Sequence, residues 1–227
     1  MKKGLYENMV EFTVAQKVLL DKMSDFMLEY NKKVNLTAIT EPAQIWEKHY
    51  TDSAFPLELA DVPCGTSVID VGTGAGFPGV IWKIYRPDLN LTLLDSLRKR
   101  VYYLGLLRER LDLEYSAIHA RSEEFALKPD YRESFGVAVS RAVAKLPALC
   151  EFCLPLVKTG GLMLAMKGAE VEGADAALKI LGGEIEEIKS YRLPSGAQRN
   201  LIIIRKIRNT PKEFPRQRVN ISNTEIQ

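Results

Sequence analysis

Residues 68–79 read VIDVGTGAGFPG, a short apolar run with one acid, followed at once by a glycine-rich turn. The apolar residues around Asp70 are typical of a strand that is buried on both faces. Backbone can approach a ligand, where a side chain would collide, at three glycines of the turn: Gly72, Gly74 and Gly76. The proline that follows suits the first turn of a helix. The stretch therefore predicts a strand, a cofactor-binding turn and a helix in succession.

Asp70 bears on which cofactor the turn binds. Its carboxylate puts negative charge beside the pocket, which favours a cationic ligand such as S-adenosylmethionine and repels a pyrophosphate. However, Gly74, Gly76 and Gly79 also match the G-x-G-x-x-G spacing of dinucleotide-binding folds. A nicotinamide dinucleotide is therefore an alternative ligand, and so is a glycine-rich turn that binds nothing.

A second strand-like run, residues 90–95 (NLTLLD), ends in another acid. In dinucleotide-binding folds an acid at this point hydrogen-bonds the ribose of the adenosine. Asp95 is therefore predicted to bind ribose hydroxyls, with Ser96 beside it. Because both candidate cofactors contain an adenosine ribose, Asp95 supports the fold without deciding between them.

Strand-like and helical runs alternate along the chain, which indicates right-handed crossovers and a mostly parallel sheet covered on both faces. Only the turn at residues 194–196 separates the last two strands, so they are expected to pair antiparallel. The predicted fold class is α/β: a Rossmann-like fold with a seven-stranded, mostly parallel sheet, helices on both faces and an N-terminal helical extension. The predicted strands are 67–71, 90–95, 115–119, 136–140, 162–167, 184–191 and 200–206, and the predicted helices are 14–34, a short helix after Pro42, 97–111, 145–157 and 171–181.

The chain is predicted to have three parts. Residues 1–60 form the helical extension, residues 61–208 the cofactor-dependent domain, and residues 209–227 a basic tail. The tail contains prolines and charge without an apolar period, which is typical of a mobile segment. The packing face of the first helix is predicted from the apolar residues Met23, Phe26, Met27 and Tyr30.

Composition excludes several classes of protein. The chain has 227 residues of which 46% are hydrophobic, enough to bury a full core. No apolar run approaches the roughly 20 residues that cross a bilayer, and the start lacks a secretory apolar region. We therefore expect a cytoplasmic protein that binds no membrane, and we also expect a monomer. Cys150 and Cys153 lie in an apolar helix-like run and are expected to be buried apolar residues. Neither His49 nor His119 has a second His or Cys at the spacing of metal ligands. We therefore expect no metal, and no acid–base role for either histidine.

Polar residues follow the ends of the predicted strands, where ligands bind in parallel sheets. Beyond Asp70 and Asp95, these are Ser140, Arg141, Lys167 and Gly168. The C-terminal part of the chain is also basic, since nine Lys and Arg face a single Glu between residues 189 and 218. Clustered basic residues gain by releasing counterions from phosphates, which indicates a polyanion partner.

At this point the chain resembles a known family, the RsmG (GidB) methyltransferases, which methylate guanine N7 in small-subunit (16S) ribosomal RNA. The resemblance implies a class I methyltransferase fold and S-adenosylmethionine as cofactor. It spans most of the chain from the first helix to about Arg205. The segments that carry it are NLTAI (35–39), His49 with Asp52 and Ser53, IDVGTGAGFPG (69–79), LLDSLRKR (93–100), HARSEEF (119–125), SRAVA (140–144) and MKG (166–168).

The resemblance also implies roles for individual residues. Gly72 and Phe77 would contact S-adenosylmethionine, and Ser122 and Glu123 would flank its adenine. Arg141 would be the arginine at the methyl-transfer site, and it is predicted to contact the cofactor as well. Arg199 would contact RNA, and we expect the same of Lys167. The alternative for Arg141 is a purely structural ion pair with Asp70 or Asp95.

Guanine N7 has a free lone pair and loses no proton when it is methylated, so the predicted reaction requires positioning and no general base. Two other functions remain open. One is a nicotinamide-dependent oxidoreductase on a similar sheet, and the other is an RNA-binding ribosome assembly factor without turnover.

Overall fold

The protein is described here from a computed structural model that covers residues 10–217 and residue 221. Its strands are β1 (Ser67–Val71), β2 (Asn90–Asp95), β3 (Ser116–His119), β4 (Phe135–Arg141), β5 (Val157–Lys167), β6 (Gly183–Arg192) and β7 (Gln198–Lys206). Its helices are α1 (Val14–Asn31), α2 (Pro42–Ile45), α3 (Asp52–Leu59), α4 (Gly79–Tyr85), α5 (Arg98–Leu111), α6 (Ser122–Phe125), α7 (Leu146–Cys153) and α8 (Asp175–Leu181).

One seven-stranded sheet has the order β3-β2-β1-β4-β5-β7-β6. The strands from β3 to β5 pair parallel, and β7 pairs antiparallel with both β5 and β6. The predicted sheet and its antiparallel hairpin are therefore confirmed. Strand β5 begins at Val157, well before the predicted start at residue 162. The prediction started late because Gly160 and Gly161 interrupt the apolar pattern of the strand.

Two elements of the N-terminal region were not predicted. A six-residue π-helix, Trp46–Thr51, connects α2 to α3, and α3 itself contains Pro56. A proline inside a helix removes one backbone donor and usually indicates a helix end, which is why the pattern did not predict α3. π-Helical turns are rare and occur frequently at functional sites.

Both faces of the sheet are covered. In β5, Leu162 and Leu164 belong to the core that also contains buried residues of α1, α3, α4 and α5. Their neighbours Met163 and Ala165 pack on the opposite face with α7 and α8. The N-terminal helices share a core with the sheet, so the extension and the sheet pack together. The division of the chain at residue 60 stays a prediction.

The predicted packing face of α1 and the predicted burial of the cysteines are confirmed. Met23 and Met27 are fully buried, and the ring of Phe26 stacks on Tyr103 with 5.6 Å between centroids. Cys150 and Cys153 are fully buried in α7, and burial raises the pKa of the Cys150 thiol to about 12. The thiols of α7 are therefore inert apolar side chains. Within the described residues, no helix has the length and apolarity to cross a bilayer, and no three potential ligands cluster for a metal.

The start of the tail, for which the sequence predicts mobility, is docked on the body. Arg132 donates to the carbonyl oxygens of Thr210, Pro211 and Phe214 at 2.9 to 3.0 Å. Arg216 in turn binds the carboxylate of the fully buried Glu151 of α7 at 2.8 Å. We call this set of ion pairs and carbonyl contacts the C-terminal clasp; its other members are Glu133 and Lys206. The part of the tail prediction at residues 218–220 and 222–227 lies outside the described residues.

Candidate active site

The carboxyl ends of the parallel strands meet at one edge of the sheet, and β1 and β4 lie side by side where the strand order reverses. Ligands bind at such a switch point. Asp70, Asp95, Arg141 and Lys167 lie at or near the ends of β1, β2, β4 and β5. Strand β7 runs in the opposite direction, so Arg199 near its start lies at the same edge. The structure thus brings the predicted site residues of these strands together.

The glycine turn after β1 has three glycines with positive φ, each with different surroundings. A Cβ added at Gly74 would meet no heavy atom within 4 Å, so the space beside this residue is open. At Gly72 an added Cβ would lie 2.5 Å from Val143 Cγ2, and at Gly76 it would lie 2.6 Å from Val80 Cγ2. Room for a ligand therefore exists beside Gly74, whereas close packing of protein atoms requires glycine at the other two positions.

Asp70 lies fully buried beneath this turn. Its Oδ2 accepts a hydrogen bond of 2.8 Å from the backbone N–H of Gly79, the first residue of α4. Its Oδ1 makes no hydrogen bond of normal geometry with the described residues. Burial raises the pKa of Asp70 to about 6, an effect opposed first by the nearby Thr73 side chain, and then by the Gly79 N–H and the charge of Arg141. A mostly ionised, buried carboxylate with a free acceptor oxygen is what a cationic ligand requires.

Asp95, predicted to bind ribose, accepts hydrogen bonds from the backbone of the glycine turn and from the backbone that follows β2. Its Oδ2 accepts from the N–H of Gly74 at 2.9 Å, and its Oδ1 accepts from the N–H of Leu97 at 2.8 Å. Arg100 Nη1 lies 3.6 Å from Oδ2. Each carboxylate oxygen has a second lone pair, so these contacts leave acceptor capacity for ribose hydroxyls. Ser96 beside it is exposed.

The two residues predicted to flank adenine begin the short helix α6 and differ in their availability. The hydroxyl of Ser122 donates to the carbonyl oxygen of Phe152 at 2.5 Å. Glu123 is buried, and its Oε1 has no partner among the described residues. Glu123 therefore offers a free buried acceptor, whereas the Ser122 hydroxyl connects α6 to α7.

Arg141, at the end of β4, is held by the N-terminal extension. Its Nη1 donates to the carbonyl oxygen of Lys48 at 2.9 Å and to Ser53 Oγ at 3.3 Å, and it lies 3.5 Å from Asp52 Oδ2. Its Nη2 lies 3.5 Å from His49 Nδ1. The acid that pairs with Arg141 is thus Asp52, and neither of the two strand-end acids that the sequence suggested.

Asp52 is the residue that sequence reasoning missed. It is 4% exposed and begins α3. Its Oδ1 accepts from Tyr191 Oη of β6 at 2.9 Å, and its Oδ2 lies 3.3 Å from Arg199 Nε of β7. Its membership of the segment that carries the family resemblance was the only signal in the sequence, since a lone acid beside a helix start usually serves as a cap.

His49 and Phe77 connect this cluster to the glycine turn. Their rings stack with centroids 4.3 Å apart and an interplanar angle of 12°, and Arg141 Cζ lies 5.3 Å from the Phe77 centroid, a cation–π distance. His49 Nε2 lies 2.9 Å from Thr37 Oγ1. Burial, and then the charge of Arg141, lowers the pKa of His49 to about 4. His49 is therefore neutral at pH 7, with both ring nitrogens engaged.

A cleft of about 720 Å³ lies beside Arg141, between the N-terminal extension and the ends of β4, β5 and β7. Arg141, Lys167 and Arg199 all line it. The Nζ of Lys167 donates to the carbonyl oxygen of Ala144 at 3.0 Å and pairs with Glu172 at 2.9 Å. The lining contains four cationic side chains, including Lys48, and the acids Asp52, Glu170 and Glu172. The volume of the cleft admits a nucleobase, and the cleft adjoins the glycine turn through Arg141.

The sheet order, the glycine turn after β1 and the acids ending β1 and β2 define the class: the chain has the Rossmann-like class I methyltransferase fold. A solved structure described as a SAM dependent methyltransferase from Aquifex aeolicus superposes with a TM-score of 0.53 at 13% identity, covering 78% of this chain and 97% of that chain. At that identity the likeness concerns the fold alone.

The family follows from sequence similarity. The model of the GidB family, rRNA small subunit methyltransferase G, matches residues 16–202. A protein from Acetivibrio thermocellus named Ribosomal RNA small subunit methyltransferase G is 50% identical over 85% of this chain and 81% of its own length. A protein of the same name from Desulforamulus reducens is 41% identical over 96% and 93%. The chain belongs to the rRNA small subunit methyltransferase G family.

Proposed function

We propose that this protein transfers a methyl group from S-adenosylmethionine to N7 of a guanine in small-subunit (16S) ribosomal RNA. The observation that carries the proposal is the position of Arg141, which contacts Phe77 of the glycine turn and lines the cleft. A donor in the first site and a base in the second would therefore meet beside Arg141. Family membership and the names of the relatives support the same reaction.

The residues at the glycine turn fit S-adenosylmethionine, which supplies a methyl group on a positively charged sulfur. The fit rests on the open space beside Gly74 and on the unpartnered buried oxygens of Asp70 and Glu123. Under the proposal, the anionic Asp70 favours the cationic cofactor, and Asp95 accepts from ribose hydroxyls. The remaining cofactor contacts that we propose are Gly72, Gly76, Phe77, Ser96 and Ser122.

The chemistry requires orientation and no proton acceptor, because guanine N7 carries a free lone pair. This agrees with the state of His49, which is neutral and engaged at both nitrogens. Arg141 is proposed to donate to guanine O6. A guanidinium that bound O6 and N7 together, as in DNA readout, would occupy the reacting lone pair. Catalysis then comes from alignment in a site that excludes water.

Arg199 and Lys167 are proposed to bind phosphates of the RNA and thereby set the position of the base. Both line the cleft. The ion pair of Lys167 with Glu172 involves a partly exposed carboxylate, which a phosphate can displace. The relatives are named as ribosomal RNA methyltransferases of bacteria, whose ribosomes lie in the cytoplasm. We therefore propose a cytoplasmic enzyme, and we propose that it is active as a monomer.

Mass-spectrometric mapping of ribosomal RNA tests the proposal. Purified protein, labelled S-adenosylmethionine and small subunits from cells that lack this protein should yield one 7-methylguanine. Absence of transfer to both naked RNA and subunits would contradict it. Tight binding of a nicotinamide dinucleotide with no binding of S-adenosylmethionine would favour an oxidoreductase, and binding to subunits without any transfer would favour an assembly factor.

A further inference from the structure

We propose that Asp52 is a positioning residue for methyl transfer, holding Arg141 and Arg199 side by side at the cleft. The inference rests on the proposed function and extends it to the N-terminal extension. Asp52 itself touches neither substrate nor cofactor under this proposal. It acts through the two arginines.

The geometry brings two cations to one oxygen atom. Arg141 Nη1 and Arg199 Nε lie 3.5 and 3.3 Å from Asp52 Oδ2, so the two guanidinium groups must be close neighbours. The other oxygen, Oδ1, accepts from the hydroxyl of Tyr191 at 2.9 Å. Asp52 belongs to α3, Arg141 to β4, Tyr191 to β6 and Arg199 to β7. A single buried carboxylate thus connects four elements that are distant along the chain.

Charge makes this arrangement depend on Asp52. Two guanidinium groups at contact distance repel each other, and the repulsion is strong where water is partly excluded. An anion between them offsets it. Arg141 has further partners in Lys48 and Ser53, whereas Arg199 has one other side-chain-to-backbone bond, to the carbonyl oxygen of Gln198. Without the charge of Asp52, the more exposed Arg199 is free to turn to solvent, and Arg141 loses its alignment.

The central experiment compares wild type with Asp52→Asn, which keeps the shape of the side chain, removes its charge and replaces one acceptor oxygen by an NH2 donor. We expect kcat at saturating RNA to fall about tenfold or more, with the Kd of S-adenosylmethionine within about twofold of wild type. A purely structural role would lower the melting temperature and the active fraction without changing kcat per folded molecule. If Asp52→Asn acted only by making the cleft more positive, RNA binding would tighten and kcat would stay unchanged. Either of these results overturns the proposal.

Asp88→Asn is the matched control. Asp88 likewise pairs with arginine, and it accepts from one guanidinium on both oxygens, with Arg86 Nε and Nη2 at 2.7 and 2.8 Å. Its pair lies just before β2, at the opposite edge of the sheet from the cleft. We expect its kcat to equal that of wild type. A matching fall in both variants would mean that loss of any Arg–Asp pair lowers turnover, and would overturn the specific role of Asp52.

If Asp52→Asn does not fold, the double variant Asp52→Asn/Arg199→Gln removes one of the two repelling charges. The kcat of the double variant should be at least about threefold lower than that of Arg199→Gln alone, because Asp52 is present in the single variant and still aligns Arg141 there. Equal kcat values overturn the proposal. Failure of the proposed function is distinguishable, since wild type would then transfer no methyl group, whereas failure of this inference leaves wild type active and the Asp52 variants unchanged.

Discussion

Two ion clusters among the described residues look alike in composition and differ in how their acids and cations are paired. In the C-terminal clasp two ion pairs are separate: Lys206 lies 3.2 Å from Glu133, and Arg216 lies 2.8 Å from Glu151. The third cation of the clasp, Arg132, donates to backbone carbonyl oxygens. At the cleft, two arginines share the single carboxylate of Asp52.

The two clusters also differ in location. The clasp lies on the sheet face that carries α7, where Lys206 is fully buried and burial lowers its pKa to about 8. The cleft cluster opens onto a cation-lined space. Removing one member of a buried pair is strongly destabilising, because the other charge is left uncompensated. Two arginines that share one acid beside open space are suited to an anionic ligand. The shared acid and the access to open space therefore distinguish the cleft cluster from the clasp.

Replacing Arg141 breaks the cleft cluster and should have the largest effect. We expect Arg141→Ala to lower kcat on the order of 10²- to 10³-fold, the usual consequence of removing a donor at the reacting centre. Stability should fall by only about 1 kcal/mol, because Asp52 keeps Arg199 and Tyr191 as partners. Single-turnover methyl transfer and thermal melting measure the two quantities. Retained kcat would show that Arg141 is structural.

Replacing Arg216 is the corresponding break in the clasp, with the opposite division between stability and activity. Arg216→Ala leaves the fully buried Glu151 without its guanidinium, and we expect the free energy of unfolding to fall by about 3 kcal/mol. The kcat of the folded fraction should not change. Urea unfolding and kinetics at low temperature test this, and Arg216→Ala/Glu151→Gln should recover part of the loss. A fall in kcat without loss of stability would connect the clasp to the cleft.

Asp70 sharpens the comparison, because its buried carboxylate has no cation in direct contact. Its pKa is raised to about 6, above the unfolded value of about 3.9. The folded state therefore binds the proton more tightly, and the contribution of Asp70 to stability should fall as pH rises from about 4 to above 6. Asp70→Asn should lack this fall and be about 1 to 3 kcal/mol more stable at pH 8, with weaker binding of S-adenosylmethionine. Equal stability of both proteins at pH 8 would contradict the burial argument.

The smallest expected effect is that of Arg199→Gln, which removes one of the two arginines that share Asp52. We expect the KM for RNA to rise about three- to tenfold and the slope of log affinity against log salt to decrease by about one. The Kd of S-adenosylmethionine should stay as in wild type. Filter binding over a salt series measures the slope. An unchanged slope would mean that Arg199 contacts no phosphate.

Prediction from sequence succeeded for elements with a strong local pattern. Strands β1 and β2 have the predicted bounds, because each is a short apolar run with an acid at or next to its end. It failed where one residue masks the pattern, as Pro56 does in α3. For the site, Arg141 and Lys167 were expected at one edge of the sheet, and they line one cleft there together with Arg199, for which the family resemblance implied an RNA contact. Their partners were not predicted.

The sequence by itself determined the class of fold, the glycine-rich turn after β1 and the candidate site residues, because these depend on short runs in which neighbouring residues specify local structure. Only the tertiary structure decided which charges meet. Arg141 and its partner Asp52 are 89 positions apart in the chain. They touch because the N-terminal helices pack on the sheet beside the carboxyl ends of its parallel strands. Such contacts depend on the packing of whole elements, which no local pattern encodes.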